Sequence, residues 1–213
     1  MTRALMAFWF TLAAMVCASP SHSDENARFR PLKADELTPE QRACADAISA
    51  PPRSAKFTNP PYRAYIWSPE QAPRLSALSE YLRWNTSLPA RLSEFAILIT
   101  ARQWTAHYEW FAHYPLAIKA GLDPQTAAEI ANGVRPAQMK DDEAALYDFA
   151  MALYRDKTVS DPVYKAAADK FGERGIMDII GIIGYYDLVS MTLITMQAEA
   201  PNDSVPRLPI LSK

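Results

Sequence analysis

The chain has 213 residues, 49% of them hydrophobic and 22% charged, with a formal net charge of -2. That balance is globular, and the length is enough for one good core. Near-neutral charge without a basic block speaks against nucleic acid as the main partner. The scarcity of Gly (6) against Pro (17) suits helices with rigid connections.

The first segment reads as an export signal: Arg3, an apolar run from Ala4 to Val16, then Cys17-Ala18 ahead of a cut after Ala18. The run is shorter than the roughly 20 residues of a membrane span, and polar residues follow it at once. A lipoprotein signal ending at Cys17 is the weaker alternative, because Val16 is bulky for that position. Cleavage leaves one cysteine, Cys44, with no CxxC partner and no intramolecular disulfide. Its plainest reading is a small buried apolar residue.

Residues 19–33 are a polar lead-in. Thr38-Pro39-Glu40-Gln41 starts a helix with a capping box and Pro in the first turn, ending by Pro51-Pro52. The Pro- and aromatic-rich stretch from Arg53 to Trp67 reads as a long loop. Ser68-Pro69-Glu70-Gln71 repeats the start signal and opens a helix with Leu75, Leu78, Tyr81 and Leu82 on its apolar stripe. Pro89 starts a helix to about Ala101 that is apolar on every face and so buried all round. Trp104 to Ala120 is a further helix closed by Gly121. Asp123-Pro124 starts a short helix ending at Asn132-Gly133, and Asp141-Asp142-Glu143 puts acids in the first turn of the next, where they favour the positive dipole end. Ser160-Asp161-Pro162 starts a helix through Phe171-Gly172. The last helix, from about Glu173 to Gln197, is very apolar, yet Asp178 and Asp187 within it make a membrane span costly. Its Gly181 and Gly184 predict close helix contact, and it reads as a buried helix shared with a partner subunit. No strand, repeat or phosphate loop is evident, so the expected fold is an all-α compact bundle. Its divisions are a signal at 1–18, an N-terminal helix and loop at 19–67, a main domain at 68–197 and a Pro-rich tail at 198–213.

The only dense cluster of acid–base side chains is His107, Glu109 and His113, set among Trp104, Tyr108 and Trp110. Glu109 and His113 are one helical turn apart on a shared face, and His107 lies on a neighbouring face. A carboxylate there can orient the imidazole and raise its basicity. Glu94, in the preceding buried helix, is costly unless paired; reaching towards His113, it would complete a carboxylate–imidazole relay across two helices. The competing readings are an exposed Glu109–His113 pair of little consequence and an outward-facing Glu94. A metal site from His107, Glu109 and His113 lacks the HExxH spacing, so no metal is expected.

The pattern Leu92-Ser93-Glu94-Phe95-Ala96-Ile97-Leu98, then Tyr108-Glu109-Trp110, His113, Ala117 and Gly121-Leu122, resembles the carboxymuconolactone decarboxylase family, also called AhpD-like. Tyr81-Leu82-Arg83-Trp84 with Leu88-Pro89 is similar to its upstream segment. Val159-Ser160-Asp161, Phe171-Gly172-Glu173-Arg174-Gly175 and Ile183-Gly184-Tyr185-Tyr186 are similar to its downstream half. The resemblance implies an all-helical homo-oligomer, trimer or hexamer, and one of two chemistries. The redox branch needs a CxxC pair; Ala106 and Glu109 stand where those cysteines would be, which leaves no thiolate for a peroxidase. The other branch decarboxylates a lactone acid without cofactor. For it, Glu94, Glu109, His113 and His107 are the candidate catalytic residues. Arg83 and Arg102 would fork an anionic substrate, with Trp104, Tyr108 and Trp110 lining its site. A non-catalytic oligomer that binds a small ligand or a protein is the alternative.

Overall fold

The run Phe95-Ala96-Ile97-Leu98-Ile99 forms the middle of the helix on which the others pack. In this computed structural model, which describes residues 27–211, every side chain of that run is 2% exposed or less. Burying one large aliphatic or aromatic side chain contributes about 1.5–3 kcal/mol, so this helix anchors the core. Residues 1–18, where the sequence suggested a leader, and Cys17 with them lie outside the described residues.

Among the described residues the chain is helical throughout, as expected: α1 Pro39–Ser49, α2 Tyr62–Tyr65, α3 Ala72–Trp84, α4 Ala90–Trp104, α5 His107–Lys119, α6 Pro124–Ala131, α7 Asp141–Met151, a π-helical turn Ala152–Asp156, and α8 Asp161–Thr195. The central helix is α4, packed most extensively on α5 and α8, and α7 packs on both α4 and α8. A smaller apolar cluster, built on Leu37, Cys44, Ile48, Tyr65 and Ile66, joins the N-terminal segment to α3 and to Leu188 of α8. Cys44 is buried in it. Its thiol meets the Pro69 carbonyl at 3.3 Å, and burial pushes its pKa up. It is packed as the sequence suggested.

Local chemistry sets most boundaries. Thr38 and Gln41 form the reciprocal capping box of α1, and the Asp123 carboxylate accepts the Gln125 amide at 2.7 Å to start α6. Gly121 closes the α5 end at φ 95°, a backbone geometry that favours glycine. Gly172, at φ 63° and ψ 176°, breaks α8 into the two helices read from the sequence.

Buried ion pairs and carboxylate hydrogen bonds then lock helices together. Asp178 accepts the Tyr81 hydroxyl (2.7 Å), the Ser87 amide (2.8 Å) and the Ser87 hydroxyl (2.6 Å), which pins the α3–α4 connection to α8. Arg91 of α4 pairs with Asp142 and Glu143 at the start of α7. By length and composition α8 could cross a membrane, but more than half of its most apolar window is buried inside the fold.

Four local expectations are corrected. The stretch from Arg53 to Trp67 is not all loop, because α2 forms within it. Ser68 does not cap α3: its carbonyl closes a turn with the Gln71 and Ala72 amides, and regular helix waits for Pro73 in the first turn. Leu78 and Tyr81 are exposed, so the buried edge of α3 is Ala72, Ser79 and Leu82. Gly181 does give close contact, since a Cβ there would meet Leu82 at 3.0 Å, but a Cβ at Gly184 would meet nothing within 4 Å.

Candidate active site

The turn between α4 and α5 is two residues long, and its geometry places the site. Thr105 takes a left-handed backbone (φ 51°), and the Ala106 amide reaches back to the Ala101 carbonyl at 2.9 Å, a Schellman closure. Arg102 holds the strained residue by donating to the Thr105 hydroxyl at 2.6 Å. Helix α5 therefore folds back against α4, and its buried face, Glu109, Trp110, His113 and Ala117, turns to the core.

On that face one imidazole joins two carboxylates. His113 Nδ1 lies 2.6 Å from Glu94 Oε2, across the helix interface. His113 Nε2 lies 3.0 Å from Glu109 Oε1, one turn back on its own helix. The side chains of His113, Glu94 and Glu109 are 7%, 13% and 4% exposed, so Glu94 is the member nearest solvent. Burial pulls the His113 pKa down, but Glu94 and then Glu109 outweigh it and hold the imidazole at about 9. At neutral pH the ring is a cation donating to both sides.

The Tyr186 ring meets His113 edge-on, with centroids 5.1 Å apart and planes at 81°. Burial raises the Tyr186 phenol well above its ordinary value, the Arg83 charge opposes this, and Glu109 and Glu94 add to it. Arg83 thus acts on the same neighbourhood as the triad. Its guanidinium lies over Trp84 at 5.0 Å, and among the described residues it makes no ion pair. Tyr65 of α2 is buried, and burial, then Tyr185 and then the Glu109 charge raise its phenol.

The other sequence candidates lie elsewhere. His107 does not join the triad: burial lowers its pKa, and the cations that lower it further are Arg207 and Arg102 on the tail side. Arg102 is not free to fork a substrate, because it donates to the Ala131 and Pro209 carbonyls at 3.0 and 2.8 Å and so ties down α6 and the tail. Trp110 is a core side chain, 2% exposed, tilted against Tyr114 with centroids 5.9 Å apart. Tyr108 is half-buried against the core. The Trp104 indole points to Asp187 of α8. Tyr186 was missed as a site residue; its only signal was the Ile183-to-Tyr186 stretch, quoted for resemblance alone.

None of the principal cavities among the described residues is lined by Glu94, Glu109 or His113. The two carboxylates also approach opposite nitrogens of one ring, so the arrangement is that of an ion-pair relay rather than a common point for a metal.

This bundle, with its inward-facing helix pair, belongs to a known structural class. A peroxidase-related protein from Ralstonia eutropha with an alkylhydroperoxidase AhpD core superposes with TM-score 0.67 at 18% identity, over 83% of this chain and 93% of that one. A peroxidase-related protein from Silicibacter gives TM-score 0.64 at 16% identity, over 88% and 96%. A variant of the debrominase Bmp8 in complex with 2,3,4-tribromopyrrole gives TM-score 0.61 at 14% identity, over 79% and 89%. No protein-family model and no curated protein matches the chain. The chain has the AhpD-like helical fold that the sequence resemblance implied.

Proposed function

We propose that this protein is a cofactor-free acid–base enzyme of decarboxylase or lyase type, acting outside the cytoplasm on a small carboxylic or lactone acid. The observation that carries the reading is the imidazole held between two buried carboxylates. Breaking such a pair by removing one partner is costly, and perturbed titratable groups of this kind concentrate at functional sites.

Because both His113 nitrogens are occupied, the proton reaches substrate through a carboxylate, and Glu94 is the more open of the two. In the proposed step the bond from carbon to the substrate carboxylate breaks and carbon dioxide leaves. Its electron pair passes onto the carbon conjugated with the neighbouring carbonyl, and a Glu94 carboxyl proton, resupplied by His113, closes that carbon. Arg83, without an ion-pair partner among the described residues, holds the anion. The leader read in residues 1–18 supports export. Peroxidase chemistry is the less supported reading: Cys44 is the only cysteine among the described residues, it is packed in the N-terminal cluster, and a thiol needs thiolate character to react.

The test is a screen of lactone and β-keto acids with wild-type protein and with His113→Gln, both confirmed helical. Turnover is expected from wild type and at least about a hundredfold less from the variant, the typical size of an acid–base contribution. Equal rates would remove His113 from the mechanism.

A non-catalytic oligomer is the second reading, favoured because none of the triad lines a principal cavity among the described residues. Both readings include self-association. Met177 (63% exposed), Met191 and Ile194 are exposed along α8, an apolar stripe that a second copy of the chain would cover. Replacing Met191 and Ile194 together by Glu is expected to reduce the mass seen in sedimentation to that of one chain. A wild-type protein already monomeric at micromolar concentration would end this part of the reading.

A further inference from the structure

A cavity of about 500 Å³ lies between the end of α4, the π-helical turn and the middle of α8, and none of the triad lines it. Trp104, Leu153, Ile180 and Ile183 give it apolar walls, while Tyr154, Lys157 and Asp187 bring polar groups. That size and mixture are those of a small-molecule site.

Asp187 is a half-buried carboxylate on the most apolar helix of the chain, and its two oxygens are unequally engaged. One oxygen is engaged twice. Oδ1 accepts the Trp104 indole N–H at 2.6 Å and the Tyr154 hydroxyl at 2.8 Å. The Tyr154 oxygen is itself 3.0 Å from the Thr100 hydroxyl. Both donors fall on Oδ1 and leave Oδ2 for a ligand.

The backbone on both sides of the cavity is unusual. The π-helical turn puts Leu153 and Tyr154 on the wall, and it ends at Lys157 in a left-handed conformation (φ 56°, ψ 21°). Thr105, next to Trp104 on the opposite wall, is also left-handed. Single π turns and left-handed non-glycine residues recur at functional sites because their cost must be offset elsewhere. Gly184 lines the same cavity, and a Cβ there would meet nothing within 4 Å. The glycine is therefore not required for helix packing, and it leaves open space on its side of the cavity.

We propose that this cavity binds a small apolar zwitterion, an α-amino acid with an aromatic or aliphatic side chain. The cavity carries one anion and one cation separated by apolar walls, and its complement carries the opposite pair. The ligand ammonium donates to Asp187 Oδ2, its carboxylate meets Lys157, and its side chain lies against Trp104, Ile180 and Ile183.

Calorimetric titration of the whole exported protein with L-phenylalanine, phenethylamine and hydrocinnamate tests this. L-phenylalanine is expected to bind most tightly. Asp187→Asn, which keeps the shape, should weaken it by about tenfold or more, the size of a charge-assisted hydrogen bond. Lys157→Ala should weaken L-phenylalanine but not phenethylamine. Gly184→Leu should abolish binding while circular dichroism and the rate of any triad reaction stay unchanged. Absence of binding at millimolar L-phenylalanine, equal affinity for all three probes, or binding indifferent to both Asp187→Asn and Gly184→Leu would each overturn the proposal.

Discussion

In His113→Gln, the stability of the protein should no longer fall between pH 6.5 and 9, where the wild type loses about 3 kcal/mol. The sign follows from the direction of the shift. The folded imidazole titrates at about 9 against an ordinary 6.5. Its pairing with Glu94 and Glu109 therefore contributes fully below 6.5 and is lost as pH rises through 9. Two other groups bound the window. His107 is shifted down by burial, so its effect lies on the acid side of 6.5. Cys44, shifted up from an ordinary 9.0, acts only above it. Inside the window the descent belongs to His113. At pH 7 the variant should also be less stable than wild type by about 3–5 kcal/mol, because a neutral amide leaves buried carboxylates without a cation. Urea unfolding at a series of pH values reads both effects. Parallel curves for the two proteins would mean that His113 is not a cation in the fold.

The second large effect is expected at Arg91. Its guanidinium reaches Asp142 at 2.6 Å and pairs closely with Glu143, whose side chain is 3% exposed. In Arg91→Ala the Glu143 carboxylate keeps, among the described residues, the Lys140 amide at 2.8 Å as its partner. An uncompensated buried charge costs about 3–5 kcal/mol, a large fraction of the roughly 5–15 kcal/mol that holds a domain folded. Arg91→Met keeps the stem and should lose nearly as much, which separates charge from packing. Combining Arg91→Ala with Glu143→Gln should recover much of the loss, because the two sites are coupled. A loss from Arg91→Ala under about 1 kcal/mol would place the pair with exposed bridges of small worth and remove it as the clamp between α4 and α7.

Glu109 and His113 were recognisable as a pair because one helical turn separates them, and helix geometry alone brings such positions together. Glu94 was recognisable by a different route: a carboxylate heading an all-round apolar helix demands a partner, and the imidazole was the available one. His107 was misplaced for want of the third dimension. It is nearer to Glu109 in the chain than His113 is, but it starts α5 on the side that faces Arg207 and the tail. Arg102 was misread for the same reason, since its acceptors, Ala131 and Pro209, are distant in the chain. Asp187 was noticed as a charge in an apolar helix, but the cavity it lines was not foreseen, because Trp104 and Tyr154 come from separate segments.

Signals between near neighbours were enough for the sequence by itself to determine the helical class, the starts at Thr38 and Asp123, the break at Gly172 and the buried course of α4. Capping, proline placement and apolar periodicity act over a few residues, so they can be read one stretch at a time. Only the tertiary structure decided that Glu94 meets His113, that Tyr186 closes on the ring and that a separate cavity opens beside Asp187. Those outcomes depend on how helices distant in the chain settle against one another, and that register is the sum of many small packing contacts, no single one of which is written at any one position.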